Sequence, residues 1–158
     1  LPVQRRLYQL FIDRPPEAVF EFHANLKNHP RINPPESREE VVSPLDTELA
    51  LGVHLSFRTR YSGLWHPLES EVVEWNPPFS FVDRQVTGPF ASWSHRHRFV
   101  AFQTGTLMTD QIEYTPAGGP LGNLAEWLYL GKRLDEFFHH RQAEAKRLLE
   151  QVGRIKGR

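Results

Sequence analysis

Cysteine is absent from the 158 residues, which excludes a disulfide scaffold, a thiolate zinc site, an iron–sulfur cluster and a cysteine nucleophile together. A charge excess is missing as well. Lys and Arg number 19 against 19 Asp and Glu, so no net field draws the molecule to nucleic acid or to an anionic membrane, and no nucleic-acid partner is expected. Apolar runs are short: stretches such as 128–130 and 79–82 fall far below the ~20 residues of a membrane helix. No transmembrane segment is expected, and with no charged-then-apolar leader the expected location is the cytoplasm. A glycine-rich phosphate loop, a G-x-S-x-G elbow and an H-E-x-x-H sequence are also lacking. Nucleotide hydrolysis, the serine-hydrolase mechanism of that elbow and zincin chemistry lose support accordingly. At roughly 150 residues per domain, one domain is expected over 1–152, followed by a basic solvated tail at 153–158.

What the chain does have is punctuation. Thirteen prolines and ten glycines cut it at Pro15-Pro16, Pro34-Pro35, Gly52, Ser62-Gly63, Asn76-Pro77-Pro78, Gly88-Pro89, Gly105 and Gly118-Gly119-Pro120. Residues 4–13 read as a strand. Pro16 suits a first helical turn, and Ala18, Val19, Phe22 and Leu26 recur at helical spacing, giving a short helix broken near His29-Pro30. From Ser37 onward the period is two, over segments ending at 61, 75, 87, 102 and 115 and joined by short turns. This predicts an antiparallel meander. After Pro120 the period changes to that of a helix over 121–152, about 48 Å long at 1.5 Å per residue. Its apolar side carries Leu121, Leu124, Leu128, Leu134, Phe138, Ala145 and Leu149, widened by Trp127, Leu130, Phe137 and Leu148. The expected fold is α+β: a curved antiparallel sheet of about seven strands wrapped around a long C-terminal helix, with two short helices after the first strand.

Alternation sorts the strands by face. Around Trp93, one side holds Trp93, His95, His97 and Phe99, and the other holds Ser94, Arg96 and Arg98. Arginines belong in water, so the first side faces the helix. By the same rule Met108, Asp110, Ile112 and Tyr114 face inward, as do Phe79, Phe81, Asp83 and Gln85, and Phe57 and Tyr61 from the strand before. Polar groups on such a face need partners, since a buried unpaired carboxylate costs several kcal/mol. Two accounts fit: a satisfied network within a core, or the lining of a pocket with apolar walls and a few placed polar groups.

Three constellations carry chemistry. His95-x-His97 with Asp110 has the spacing of a three-ligand metal site, but two histidines on one strand arise cheaply, and neither a metal nor a cofactor is expected. His95 or His97 paired with Asp83 or Asp110 has the form of a general base and its orienting group, for enolising or dehydrating a carbonyl compound. The enzymatic alternative assigns catalysis to His95, His97 and Asp110. Arg141 either snorkels outward or turns its guanidinium into the mouth of a cavity. The hairpin tip at Phe90 either gates an opening or packs down. The His139-His140 pair reads as surface.

Several stretches carry a family resemblance: Ala18-Val19-Phe20-Glu21-Phe22 followed by Asn25-Leu26 and Ile32-Asn33-Pro34; Phe81-Val82-Asp83-Arg84-Gln85-Val86-Thr87-Gly88-Pro89-Phe90; Trp93-Ser94-His95-Arg96-His97-Arg98-Phe99; Leu107-Met108-Thr109-Asp110-Gln111-Ile112-Glu113-Tyr114; and Gly119-Pro120-Leu121-Gly122. With the order of elements, these make the chain resemble the START-like (SRPBCC) superfamily over essentially its whole length. That superfamily includes the birch-pollen allergen family and polyketide cyclase/dehydrase-like proteins. The resemblance implies a helix-grip fold with a hydrophobic cavity between sheet and long helix, holding a lipid, quinone or polyketide-like molecule. A minority of relatives catalyse cyclisation or dehydration there. The expected partner is therefore a hydrophobic small molecule, and a homodimer is left open.

Overall fold

The period-two segments pair as strands because each presents one apolar side to a common core. The computed structural model describes residues 2–61 and 63–157, the side chains of Tyr61 and Trp127 excepted. Strand β1 (Gln4–Ile12) leads into α1 (Pro16–Ala24), a 3₁₀ turn at Leu26–Asn28 and the one-turn helix α2 (His29–Ile32). Then come β2 (Glu39–Val41), β3 (His54–Tyr61), β4 (Leu64–Asn76), β5 (Ser80–Thr87), β6 (Ser92–Phe102) and β7 (Gly105–Thr115). The seven strands form one sheet in the order β1-β7-β6-β5-β4-β3-β2, each pair antiparallel. Register shifts in β4 between Glu69 and Ser70 and between Val72 and Glu74 bend the sheet, since an extra residue on one strand raises local twist. Gly105 starts β7 where a Cβ would stand 2.2 Å from the Ile12 carbonyl oxygen, so only glycine lets β1 pass this close.

The C-terminal helical segment departs from its expected phase. It runs as α3 (Gly119–Ala125), a π-helical turn over Glu126–Leu130 and α4 (Gly131–Lys156). The wider turn shifts the helix face. Leu121, Leu124 and Leu128, expected on the apolar side, are 78%, 51% and 47% exposed. Glu126 is buried in their place, accepting from Tyr114 Oη at 2.6 Å and from Arg6 Nη2 at 3.0 Å. At the other end the helix continues past Val152 to Lys156, so the expected solvated tail is helical through most of its length while residues 154–157 are exposed. Gly153 lies against the Arg14 guanidinium, which donates to the Leu149 carbonyl at 3.0 Å. Phe79 is a smaller correction: it sits in the turn before β5 and is 58% exposed, because the prolines before it delay the strand.

Helix α4 lies over the β1 side of the sheet. Phe138 stacks on Tyr8 at 5.0 Å, Gln142 donates to the Tyr8 carbonyl at 3.0 Å, and Lys146 donates to that of Phe11 at 2.8 Å. Ile12, Val19, Phe20, Phe81, Phe99, Met108 and Leu149 make one apolar cluster below α1, and Tyr8, Ile112, Tyr114 and Phe138 make a second below α4. No helix among the described residues is long and apolar enough to cross a membrane. Phe99 is fully buried, ringed by Phe20, Phe81 and His23. Phe99→Ala should therefore cost about 3–5 kcal/mol in urea denaturation; a loss below about 1 kcal/mol would contradict this packing.

Candidate functional site

The helix covers one flank of the sheet and leaves the other to be roofed by α1, α2 and the β5–β6 hairpin. Between them is a cavity of about 390 Å³. Leu55 and Phe57 of β3, Leu68 and Val72 of β4, Leu26 and Ile32 of the α1–α2 region, and Leu134, Phe137 and Phe138 of α4 give it an apolar wall. Asp83, Gln85, His95, His97, His23, His29, Glu39 and Arg141 line it too. The volume lies within the range of small-molecule sites, and apolar walls with a few polar groups are their usual make-up.

The polar side is built by strand register. Across β5, β6 and β7, His95 stands directly opposite Asp83, and His97 directly opposite Asp110. The hydrogen bonds run on the diagonals: His95 Nε2 to Asp110 Oδ1 at 2.7 Å, and His97 Nε2 to Asp83 Oδ2 at 2.8 Å. The two imidazoles stack with centroids 3.6 Å apart, and Phe81 stacks on His97 at 4.0 Å. Gln142 of α4 donates to Asp110 Oδ2 at 2.9 Å, tying the helix to the pair. His97 Nδ1 lies 3.6 Å from Asp110 Oδ1 and is buried without a hydrogen-bond partner among the described residues.

Burial, then the neighbouring His95, push the His97 imidazole down to about 4. Burial works to raise the carboxyls of Asp83 and Asp110. The hydrogen bonds from His97 to Asp83 and from His95 to Asp110 lead the opposing causes and hold both below the usual carboxylate range. At neutral pH His97 is thus a neutral ring between two ionised carboxylates. His23 donates from Nδ1 to the Val19 carbonyl at 2.8 Å and is likewise pushed down to about 4, chiefly by burial.

A second polar chain spans the cavity. Arg141 Nη1 of α4 donates to Asn33 Oδ1, Asn33 Nδ2 donates to Glu39 Oε1 at 3.2 Å, and His29 Nε2 meets the same oxygen at 2.8 Å. Burial lowers the Arg141 guanidinium, opposed by Asp110, Glu39 and Asp83. Of the two orientations open to Arg141 in the sequence, the inward one is found, with its guanidinium 5.5 Å from the Phe137 ring.

Phe57, Phe81, Asp83, Gln85, Trp93, His95, His97, Leu134 and Phe138 thus line the cavity on the faces expected of them, and Arg141, whose orientation the sequence left open, lines it too. Phe99, Met108, Asp110, Ile112 and Tyr114 do not. They are buried behind it, because β7 and the end of β6 lie directly under helices with no space between. Asp110 accordingly acts on the cavity through the histidines in front of it, His95 by a hydrogen bond and His97 at 3.6 Å. Tyr61 and Trp127 have side chains outside the described residues. Phe90 both packs on Trp93 at 4.7 Å and lines the opening. His23, His29, Asn33 and Glu39 were not singled out by pattern. Strand β2 has only three residues, too few for alternation to mark Glu39, and the others lie in or beside short helical turns.

A curved antiparallel sheet gripping a C-terminal helix around a cavity of small-molecule size is the helix-grip arrangement of START-like proteins. Residues 12–138 match the profile of the family described as polyketide cyclase / dehydrase and lipid transport, and the chain belongs to that family. No curated protein matches it in sequence. Among solved structures it is similar to TTHA0849 from Thermus thermophilus, at TM-score 0.75 and 16% identity over 94% of this chain and 99% of that one. It is also similar to the di-domain ARO/CYC StfQ of the steffimycin biosynthetic pathway, at 0.73 and 16% over 96% of this chain and 52% of that one. A Thalictrum norcoclaurine synthase mutant in complex with a transition-state analogue superposes at 0.69 and 10%, over 96% and 97% of the two chains.

The two depressed histidines set an acid limit. Unfolded, His23 and His97 take up protons near 6.5; folded, they do so only near 4. Between those values the unfolded chain holds more protons, so stability is intact above about 6.5 and is lost as pH falls toward 4. Asp83 and Asp110, also depressed, continue the loss at lower pH. Denaturation midpoints should fall on acidification with a two-proton dependence, about 1.4 kcal/mol per pH unit per proton. His23→Asn should remove one proton from that slope. A flat profile over this range would contradict the arrangement.

Proposed function

We propose that the chain binds a hydrophobic or amphipathic small molecule, of lipid, quinone or polyketide-like character, in the cavity between sheet and α4. Asp83, His95 and His97 orient its polar end, and Asp110 holds His95 from behind. The observation that carries this is the division of the cavity wall: aliphatic and aromatic groups on β3, β4 and α4, and the two His–Asp pairs concentrated on β5 and β6. Displacing water from the apolar part supplies affinity at about 25 cal/mol per Å² of ligand surface buried. The paired polar groups select which end enters first. The family description, cyclase/dehydrase and lipid transport, supports both carriage and chemistry.

A second reading, cyclisation or dehydration of a bound carbonyl compound, is favoured by the His–Asp pairs at the cavity wall, His97 with Asp83 and His95 with Asp110. In it His97, oriented by Asp83, moves the proton. Its weak basicity restricts it to substrates whose α-proton is already acid.

Native mass spectrometry of freshly purified protein should show a bound small molecule, or uptake of one from a panel of lipids and quinones. An empty protein that ignores the panel would overturn the binding reading. Leu134→Trp, which fills the cavity from the α4 side, should weaken uptake by more than about tenfold, or 1.4 kcal/mol, with the circular dichroism unchanged. Uptake unaffected by this substitution would place the ligand elsewhere.

A further inference from the structure

The polar wall has more acceptors than protons. A neutral imidazole has one N–H to give, and His97 stands between two carboxylates, with Asp83 Oδ2 2.8 Å from Nε2 and Asp110 Oδ1 3.6 Å from Nδ1. With the proton on Nε2, the Nδ1 lone pair is left buried and facing an anionic oxygen, in a side chain only 8% exposed. His95 commits Nε2 to Asp110, and its Nδ1 stands outside that bond. The wall therefore presents an unpartnered ring nitrogen among carboxylate oxygens.

One donor atom from each of Asp83, His95 and His97 lies within 4.8 Å of the other two. We propose that these three residues bind a divalent first-row transition metal of the zinc or iron(II) kind, with its remaining coordination positions open to the cavity. Two imidazoles and one carboxylate suit such ions rather than magnesium or calcium, which prefer oxygen ligands. Nε2 of His97 and Oδ2 of Asp83, 2.8 Å apart, would subtend roughly 85° at an ion about 2.1 Å from each. The ion takes the place of the proton between them, and that proton moves to Nδ1, where it donates to Asp110 once the 3.6 Å gap to Oδ1 closes. Asp110 then accepts from both ligand histidines while Gln142 holds its other oxygen. This is the carboxylate–histidine support that metal sites need, and it accounts for the otherwise orphaned nitrogen. On the cavity side, the open positions would take an oxygen donor: a carbonyl, an enolate or a phenolate.

The inference rests on the cavity described above but not on any organic occupant, and the two fail separately. The full chain, dialysed against a chelator, is titrated with Co²⁺ and then with competing Zn²⁺. One equivalent per chain should produce visible cobalt bands that zinc abolishes. His97→Gln and Asp83→Asn should weaken binding at least about 100-fold, and Asp110→Asn about 10- to 100-fold. His54→Ala, at a surface histidine, should leave it unchanged. Because the core variants can unfold, long-range ¹H–¹⁵N spectra of the unmodified chain give an independent readout: zinc should convert His97 from its Nε2–H to its Nδ1–H form. Absence of one-equivalent binding, binding indifferent to residues 83 and 97, or an unchanged His97 tautomer would each overturn the proposal. A chain that binds no metal yet takes up a lipid or quinone would sink this inference alone, and a chain that binds metal but no organic molecule would sink only the other.

Discussion

Two histidines of β6 are held between a carboxylate of β5 and one of β7, and the rest of the site follows from that clamp. Because side chains alternate along a strand, His95 and His97 can share a face only if Ser94, Arg96 and Arg98 take the other. The β5–β6 and β6–β7 registers then place Asp83 and Asp110 one on each side. A slip of one residue in either pairing would send a carboxylate to solvent and leave an imidazole buried without a partner. Each diagonal hydrogen bond is therefore also a register lock, and the bland account of these residues as a structural network is true as far as it goes. It stops short at His97 Nδ1, which the network leaves unsatisfied.

Helix α4 meets this clamp from above through Gln142, whose amide bridges Asp110 and the Tyr8 backbone. The bridge pins the helix to the β1–β7 flank. The π-helical turn before it has a related cause: Glu126 turns inward to meet Arg6 and the Tyr114 hydroxyl, both anchored in the sheet. Both donors meet the same oxygen, Glu126 Oε1, and with this carboxylate turned inward Leu121, Leu124 and Leu128 are left exposed. Sheet and helix are thus joined by polar contacts along β1 and β7 and remain apart over β3 to β5, where the cavity lies.

The strand and helix order, the sheet's inner face and nine of the cavity-lining residues were legible in the sequence, because β5 to β7 are long and their arginines mark the wet side without ambiguity. Depth was not legible. Alternation states that Phe99, Met108, Asp110, Ile112 and Tyr114 point inward, and all five are buried. It cannot say whether a void or another side chain meets them. That depends on where the helix lands across the sheet, which is set by long-range contacts such as Gln142 with Tyr8. Helical periodicity likewise assumes one pitch throughout, so a single wide turn at Glu126–Leu130 put Leu121, Leu124 and Leu128 on the wrong side. Glu39 escaped because a three-residue strand has no period to read.

An apolar space of this size invites collapse, since nearby side chains lose contacts across a void. The polar chain from Arg141 through Asn33 to Glu39 and His29 opposes it. It runs from α4 to β2, with Arg141 buried at one end and Glu39 and His29 partly exposed at the other. Arg141 is the buried member, and a buried guanidinium left without its partner is destabilising. The strut therefore ties α4 to the β2 side across the space, and the residues that span the cavity bear on its width as much as those that line its polar end bear on its chemistry.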